Sequence, residues 1–410
     1  MPVQQTNHYR YKITKFIILI PDKEDIQLNT FHIDNFSIEK DFDNNIFPIF
    51  HVILRISTPM YYTILQNKTT VKFRIRVDKY TYDNNDLLLN SELSFDDIFT
   101  IYITDNSEFF DKSLYEAKIN VTGSTTDMHD IQLHEFYLFK EKDLDSSKTV
   151  FNTVIKNSNL ETVVSYMLSE SGSNNILMTP IENREKIDEI FLLPISVNKN
   201  ISYLENQYGF YSHGLLFFYD IDRIYFIDKQ SECTAYTTTE YKKTLITIHD
   251  SNNIGYMMPG TYKDKETSSY IMNVPRTNIV MNSTSIVDNQ LSGNKITVVN
   301  NSIDVNTQVS PTLQQRGSSS QKVVVNKYNN PYVEKMIEYR KIENSNIVKI
   351  SSTDVEMEVF TPNKKYMMYF EDSSINNTHG GSYRLTDVKF SFVKNGEYYV
   401  PSVIATFKKS

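Results

Sequence analysis

Strict alternation of apolar and charged residues from Val71 to Val77 is the clearest pattern in the chain. A period of two predicts a β-strand that has one face in a core and the other in water or against a partner. The first 140 residues contain further predicted strands at Tyr11–Ile20, Ile46–Ser57, Phe99–Thr104, Glu116–Val121 and Ile131–Phe139. Because loops join strands that each have one apolar face, this region is predicted to close as a barrel or a sandwich.

The pattern changes to a helical period after residue 141. The apolar positions of the first long helix recur at i, i+3, i+4, i+7 and i+8, and they are Leu160, Val163, Val164, Met167 and Leu168. Ser158 and Glu161 form a predicted capping box at its start. A second helix is predicted from Asn198 to a stop at Gly209. Two apolar strands then predict a short hairpin, at Leu215–Tyr219 and Ile224–Ile227.

Strand-like patterns return after residue 231. The predicted strands of this part are Thr244–Ile248, Asn278–Met281, Ile296–Asn300, Val355–Phe360, Tyr366–Phe370, Leu385–Val393 and Tyr398–Phe407. The polar stretch Asn282–Gln321 is predicted to be an extended arm or a linker. Asn330 and Pro331 are predicted to begin a short helix through Val333, Met336 and Ile337.

These patterns together predict a mainly β (α+β) protein with two barrel-like domains on either side of a small helical or mixed domain. Residues 1–140 are predicted to form the first β-barrel domain. Residues 141–230 are predicted to form a helix-containing domain that ends in the hairpin. Residues 231–410 are predicted to form a second β-rich domain that carries the polar arm at 282–321.

Composition narrows the class of protein. Aromatic residues make up 13% of the 410 residues, which excludes a disordered chain. The formal net charge of -8 argues against a general affinity for nucleic acid, which requires clustered Lys and Arg. The single cysteine, Cys233, excludes an intrachain disulfide. Because no apolar run approaches the roughly 18 residues that span a bilayer, we expect no membrane insertion.

No local motif predicts a metal site. The densest group of candidate metal ligands consists of Asp127, His129, Asp130, His134 and Glu135. The spacing of His129 and His134 does not place two ligands on one helix face, so a solvated turn followed by a strand is the favoured interpretation. Asp220 and Asp222 lack the Gly and the distal Glu of a calcium loop and are interpreted as turn residues.

Catalytic motifs are also missing. The segment His379–Ser382 resembles the neighbourhood of a nucleophile, but the chain has no G-x-S-x-G elbow, Walker A motif or dinucleotide fingerprint. This segment is predicted to be a flexible hairpin tip. We therefore expect a protein that is not an enzyme and that has no cofactor and no metal site.

Three cations, Lys72, Arg74 and Arg76, lie on the polar face of the predicted strand at 71–77. A solvated face, a contact with nucleic acid and an intersubunit contact with carboxylates all fit this pattern. Without catalytic motifs, the several β layers favour a structural or interaction protein. The alternatives are a carbohydrate- or receptor-binding module with exposed Tyr side chains and a hydrolase with two carboxylates in a cleft.

Several segments between residues 30 and 230 follow a characteristic order. Phe36–Arg55 enters a strand after an acidic, Asn-rich turn, and the alternating strand Val71–Val77 follows. Two helices separated by a break come next, and the run Ile201–Tyr211 then leads into Gly214–Asp220. This order resembles the central baseplate (tail) hub proteins of bacteriophages with contractile tails, and the length is close to that of a whole hub subunit.

The resemblance implies a homotrimer in which each subunit contributes two tube-like β-barrels to a ring of six. Such a ring matches a hexameric tail tube above it and a trimeric spike below it. The implied partners are the tail tube protein, the central spike protein, other baseplate proteins and, transiently, the DNA that passes through. The implied location is the virion tail after assembly in the host cytoplasm, with no catalytic residues.

The expected orientation of the three cations follows from the passage of DNA. A net charge of -8 suits a ring through which DNA slides without binding. Clustered cations bind phosphate. We therefore expect Lys72, Arg74 and Arg76 to face away from the channel, toward acidic partners on a neighbouring subunit or tail protein.

Overall fold

A computed structural model of the chain describes residues 8–101, 131–231, 243–249, 260–264, 269–282, 295–297, 320–322 and 330–410, apart from positions 84 and 174 and several positions between 334 and 345. Outside these residues lie the predicted strand Glu116–Val121, the candidate ligands Asp127, His129 and Asp130, Cys233, and most of the polar stretch Asn282–Gln321. The mainly β class predicted from the sequence is confirmed.

The described residues form strands and a smaller number of helices. The strands are β1 (His8–Leu19), β2 (Ile26–Leu28), β3 (Ile33–Asp41), β4 (Ile49–Ser57), β5 (Lys72–Tyr82), β6 (Leu88–Ile101), β7 (Ile131–Lys140), β8 (Thr153–Ser158), β9 (Ile176–Met178), β10 (Ile187–Leu192), β11 (Leu215–Tyr219), β12 (Ile224–Asp228), β13 (Lys243–His249), β14 (Gly260–Asp264), β15 (Ser269–Pro275), β16 (Ile279–Asn282), β17 (Lys295–Thr297), β18 (Ser320–Lys322), β19 (Ile347–Thr353), β20 (Lys365–Phe370), β21 (Gly381–Asn395) and β22 (Tyr398–Lys409). The α-helices are α1 (Thr58–Gln66), α2 (Glu141–Lys148), α3 (Leu160–Glu170), α4 (Val197–Tyr208) and α5 (Ser373–His379). Of the helices described, none has the length and apolar character needed to cross a bilayer.

Eight strands close into a barrel in the order β21-β3-β4-β7-β6-β5-β1-β22, and β22 pairs back to β21. All neighbouring strands in this ring are antiparallel. Strands β21 and β22 come from the C-terminal end of the chain, so residues distant in sequence complete the ring. The domain limits drawn from the sequence stay predictions.

The barrel core follows from the alternation in the sequence. In β5, Phe73 and Ile75 are 0% exposed and Val77 is 1% exposed, while the cations lie on the opposite face, as predicted. The rings of Phe50 and Phe99 pack across the interior with their centroids 4.5 Å apart. Because an eight-stranded barrel is just wide enough for side chains to fill, these residues form a packed core.

The hairpin of β21 and β22 belongs to two sheets. Near its turn, residues Asp387–Phe392 of β21 pair with β3 of the barrel. Toward its open end, Gly381–Arg384 pair with β20, and Ser402–Lys408 of β22 pair with β19. The second sheet has the order β14-β15-β13-β20-β21-β22-β19-β16. Because β21 and β22 pair with strands of both sheets, backbone hydrogen bonds connect the barrel to the second sheet without a break.

The middle region has a core of its own, built on the predicted apolar face of α3. All five residues of that face are buried, which confirms the predicted helix. The predicted capping box at Ser158 is wrong, because Asn159 is the N-cap and its Oδ1 accepts a hydrogen bond from the Thr162 N–H at 2.9 Å. Helix α4 ends at Gly209, as predicted, where φ is 69° and the Asn330 side chain lies where a Cβ would be.

One predicted strand is absent from the described residues. Val355–Phe360 is not a strand, because Met357–Val359 form a 3₁₀ turn. The Met357 N–H donates a hydrogen bond to the hydroxyl of Tyr11 at 3.0 Å. A buried tyrosine side chain therefore takes the place of the neighbouring strand that the apolar pattern suggested.

The predicted hairpin tip at His379–Ser382 is also wrong. His379 ends α5, and Gly381 begins β21. Asp372 starts the helix, since its side chain accepts hydrogen bonds from the N–H groups of Ser374 and Ile375. The two glycines thus connect a short capped helix to the shared hairpin.

Candidate functional site

The three cations predicted as an intersubunit contact lie together on the outer face of β5. Arg74 makes two hydrogen bonds to Asp96 of β6, from Nε to Oδ1 at 3.0 Å and from Nη2 to Oδ2 at 3.1 Å. The other two pairs are Lys72 with Glu141 at 2.7 Å and Arg76 with Asp78 at 3.2 Å. All three carboxylates belong to the same chain, and the contact with another subunit stays a prediction.

An open cleft of about 820 Å³ begins at Arg74 and lies between the barrel wall and the segment around α2. Both signs of charge line it, and Lys140 Nζ lies 3.1 Å from Asp97 Oδ1. Burial raises the pKa of Asp97, and the attraction of Lys140 opposes this rise. Lys140 therefore pairs with this partly buried carboxylate in the wall of the cleft.

The carboxyl group of Asp143 in α2 has a pKa that depends on its burial and on the charges around this cleft. Burial raises its pKa to about 6; Lys140 and Lys142 oppose the rise, and Asp97 and Asp220 add to it. In an unfolded chain an Asp carboxyl titrates near a pKa of about 4. The folded state therefore holds the proton more tightly, and stability falls as the pH rises from about 4 through about 6.

We expect Asp143→Asn to raise the free energy of unfolding by about 1–3 kcal/mol at pH 7.5, because the buried charge is removed. The gain should disappear near pH 4, where the wild-type carboxyl is already protonated in the fold. Urea unfolding at the two pH values measures both quantities. Asp145→Asn, at an exposed position of the same helix, is the matched control; an equal gain for this variant, or a gain independent of pH, would contradict the assignment.

A cluster of buried charges lies where the barrel, the middle region and the second sheet meet. This junction cluster consists of Asp43, Lys229, Glu343, Arg384 and Lys408. The Asp43 carboxylate accepts hydrogen bonds from Arg384 Nη2 at 2.8 and 3.0 Å, from Lys229 Nζ at 3.1 Å and from Lys408 Nζ at 3.0 Å. Arg384 also donates to Glu343 through Nε. Burial opposes ionisation of Asp43, but the three cations outweigh it and hold the pKa below its usual range.

A second cluster, around the buried Lys79 of β5, joins the barrel to the 3₁₀ turn Met357–Val359. This Lys79 cluster also contains Glu92, Glu356 and Glu358, with Nζ–O distances of 2.5, 2.8 and 3.4 Å. Burial lowers the pKa of Lys79, but the attraction of Glu358 and Glu356 outweighs burial and raises the pKa well above its ordinary value. Sequence reasoning missed this cluster and the junction cluster, because their members lie far apart along the chain.

Two residues considered from the sequence have packing roles. Asp220 lies in the predicted turn between β11 and β12, but its carboxylate is not solvated, since it pairs with buried Lys40 at 2.6 Å. His134, one of the candidate metal ligands, is 5% exposed and stacks on Tyr61, with 3.8 Å between the ring centroids. Both side chains therefore contribute to the interior of the fold.

A protein-family model described as "Bacteriophage PBS1 gene 109 protein" matches residues 5–410. The chain belongs to this family. The PBS1 gene 109 match covers the barrel, the shared hairpin, the charged cleft and both buried clusters, and it confirms the bacteriophage assignment made from the sequence. No curated protein matches the chain.

Solved structures of tail proteins are similar to this member of the PBS1 gene 109 family. The tail protein of Neisseria meningitidis MC58 has a TM-score of 0.49 at 10% identity, covering 98% of this chain and 97% of that chain. The 43 kDa tail protein of prophage MuSo2 from Shewanella oneidensis has a TM-score of 0.46 at 10% identity, with 96% and 97% covered. Prophage tail protein gp18 of Listeria monocytogenes EGD-e has a TM-score of 0.43 at 11% identity, with 97% and 95% covered.

Proposed function

We propose that this chain is a structural hub of the phage tail baseplate, a homotrimeric ring that joins the hexameric tail tube to the central spike. The observation that carries the proposal is the hairpin of β21 and β22, which fixes the barrel and the second sheet to each other. Each chain contributes one barrel and one second sheet, so three chains contribute six β units, connected in pairs. A threefold particle with six similar bodies suits a trimeric partner on one side and a hexameric one on the other.

The proposed path of DNA lies between the subunits. Aromatic and aliphatic side chains fill the barrel, so no passage for DNA runs inside it. A net charge of -8 favours a channel wall that repels phosphate. Carboxylates of the same chain neutralise Lys72, Arg74 and Arg76, which reduces their attraction for passing DNA.

We further propose a non-catalytic role in the virion, with the tail tube, the spike and other baseplate proteins as partners. The engagement of Asp97 by Lys140 supports this, since the hydrolase alternative needs a free pair of carboxylates. Assembly in the host cytoplasm fits a chain whose single cysteine allows no intrachain disulfide.

The oligomeric state of the purified full-length chain tests the ring directly. Light scattering coupled to size exclusion is expected to show a particle of three times 47.9 kDa. Cryo-electron microscopy of the intact phage is expected to show three copies per tail. One or six copies per tail would refute the hub assignment, whatever the state of the isolated chain.

Arg74→Glu tests the predicted intersubunit contact of Lys72, Arg74 and Arg76, which together form the cation strip on β5. The change places a like charge beside Asp96 and beside the acidic partner expected on the neighbouring subunit. We expect the trimer to dissociate at a protein concentration at which the wild type stays assembled. The melting temperature of the isolated chain should change little, because Arg74 is an exposed residue.

Lys156→Glu is the matched control, since it reverses an exposed cation that pairs with Glu189 across β8 and β10, away from the strip. This variant should assemble like the wild type. If both variants assemble normally, the cation strip is a solvated face and makes no intersubunit contact. If both variants dissociate, the change in net charge weakens the trimer and the cation strip has no specific role.

A further inference from the structure

Three side chains with metal-binding atoms converge in the middle region, outside the cleft and the buried clusters. Glu182 follows β9, His213 lies between α4 and β11, and Asp228 ends β12. One ligand atom from each lies within 4.8 Å of the other two. His213 Nδ1 and Asp228 Oδ2 are 3.0 Å apart. Because their spacing in sequence follows no local motif, reasoning from the sequence could not find this group.

The surrounding backbone holds both carboxylates in place. The Glu182 carboxylate accepts hydrogen bonds from the Ser212 N–H at 3.0 Å and from the Ser212 hydroxyl at 3.2 Å. Asp228 Oδ1 accepts from the Gln230 N–H at 2.9 Å, which leaves Oδ2 directed toward His213. Such outer contacts orient ligands before an ion binds.

The charge balance of this group differs from that of the ion-paired carboxylates described above. Asp43, Asp220 and Glu356 each pair with a Lys or an Arg. Among the described residues, no Lys or Arg forms an ion pair with Glu182 or Asp228. Two carboxylates so close together repel each other, and a bound cation removes that repulsion.

We propose that Glu182, His213 and Asp228 form a binding site for a divalent transition-metal ion, with Zn²⁺ as the preferred ion. Zinc accepts imidazole nitrogen and carboxylate oxygen at about 2.0–2.2 Å, so the three ligand atoms reach one ion after shifts of less than about 1 Å. Imidazole disfavours Ca²⁺, which takes oxygen ligands. Zn²⁺ binds such a site more tightly than Mn²⁺.

The position of the site indicates its structural consequence. The ring of Tyr339, from the C-terminal part of the chain, packs edge-on against His213 with 5.1 Å between the centroids. Gln230, next to Asp228, donates a hydrogen bond to the Tyr339 hydroxyl. An ion at the site would connect the segments that carry Glu182, His213 and Asp228. Because His213 packs against Tyr339, the ion would also stabilise the contact between the middle region and the C-terminal part of the chain.

Isothermal titration of the untagged full-length chain, stripped with EDTA, tests the proposal with ZnCl₂ as the probe. One Zn²⁺ per chain is expected, together with a rise in melting temperature that grows with the Zn²⁺ concentration. His213→Ala and Asp228→Asn should each weaken Zn²⁺ binding by about 10-fold to 100-fold or more. Excess Ca²⁺ should not compete, whereas Mn²⁺ should compete weakly.

His249→Ala is the matched control, because the described residues place one carboxylate, that of Glu371, beside His249 at 3.6 Å and no group of three ligands there. This variant should bind Zn²⁺ like the wild type. If circular dichroism shows that a core variant is misfolded, Glu182→Gln at an exposed position replaces it. The proposal fails if the wild type binds no Zn²⁺, or if the three site variants bind it as tightly as the wild type. The result is independent of the proposed trimer, since monomeric chain serves equally well.

Discussion

Arg384→Met is expected to lower the free energy of unfolding by about 3–5 kcal/mol, because it leaves the buried Glu343 carboxylate without its cation and removes one of the three cations around Asp43. Arg384 is 2% exposed, and it links Asp43 to Glu343 at the meeting point of three parts of the chain. Methionine keeps much of the side-chain volume, so the loss of stability reflects mainly the loss of charge. Urea unfolding of the full-length chain at pH 7.5 measures the change in the free energy of unfolding.

The pH dependence of the Arg384→Met loss separates charge from packing. In the wild type the depressed pKa of Asp43 contributes stability that is present above its unfolded pKa of about 4 and is lost as the pH falls through the folded value. The difference between the two proteins should therefore shrink as the pH falls below about 4.

A partly exposed arginine on the same barrel supplies the control for Arg384→Met. Arg55 pairs with Asp34 at 2.7 Å at a partly exposed site, and Arg55→Met should cost at most about 1 kcal/mol. A loss at Arg384 no larger than the loss at Arg55, or a loss that does not change with pH, would show that the junction cluster is not what joins the three parts.

Lys79→Met should also destabilise the protein by about 3–5 kcal/mol, since Glu356 and Glu358 then face each other without their shared cation. The effect should be local as well as global. We expect faster hydrogen exchange in the 3₁₀ turn Met357–Val359, which Lys79 fastens to β5. Chemical unfolding and hydrogen exchange followed by mass spectrometry measure the two effects.

A second substitution checks the cause of the Lys79→Met loss. Adding Glu356→Gln to Lys79→Met should recover part of the stability, because it removes one of the two negative charges that Lys79 neutralises in the wild type. Lys12→Met, at an exposed pair with Glu397, should cost at most about 1 kcal/mol. If the double variant is no more stable than Lys79→Met, the loss comes from packing and not from charge.

The spacing of apolar residues along the sequence correctly predicted those strands and helices that bury one face. The alternation of β5 and the apolar face of α3 appear in the structure at the predicted positions. The hairpin of β11 and β12 also forms where two apolar runs flank a polar turn. These predictions succeed because the direction of successive side chains is fixed by backbone geometry within a single strand or helix.

Capping and turn details were less predictable. Asn159, not Ser158, caps α3, since two neighbouring polar residues both have side chains that can accept the hydrogen bond. The apolar run Val355–Phe360 has the composition of a strand, yet its Met357 N–H donates to the Tyr11 hydroxyl. Such a partner cannot be seen in the sequence, because Tyr11 lies at the opposite end of the chain.

The sequence by itself determined the mainly β class, the amphipathic helices of the middle region and the resemblance to a bacteriophage protein. Only the tertiary structure decided that β21 and β22 complete the first barrel while continuing into a second sheet. It also decided which charges meet, in the junction cluster, in the Lys79 cluster and at Glu182, His213 and Asp228. The physical reason is that side-chain direction follows a local period, whereas strand pairing and charge pairing depend on distances between residues that no local pattern relates.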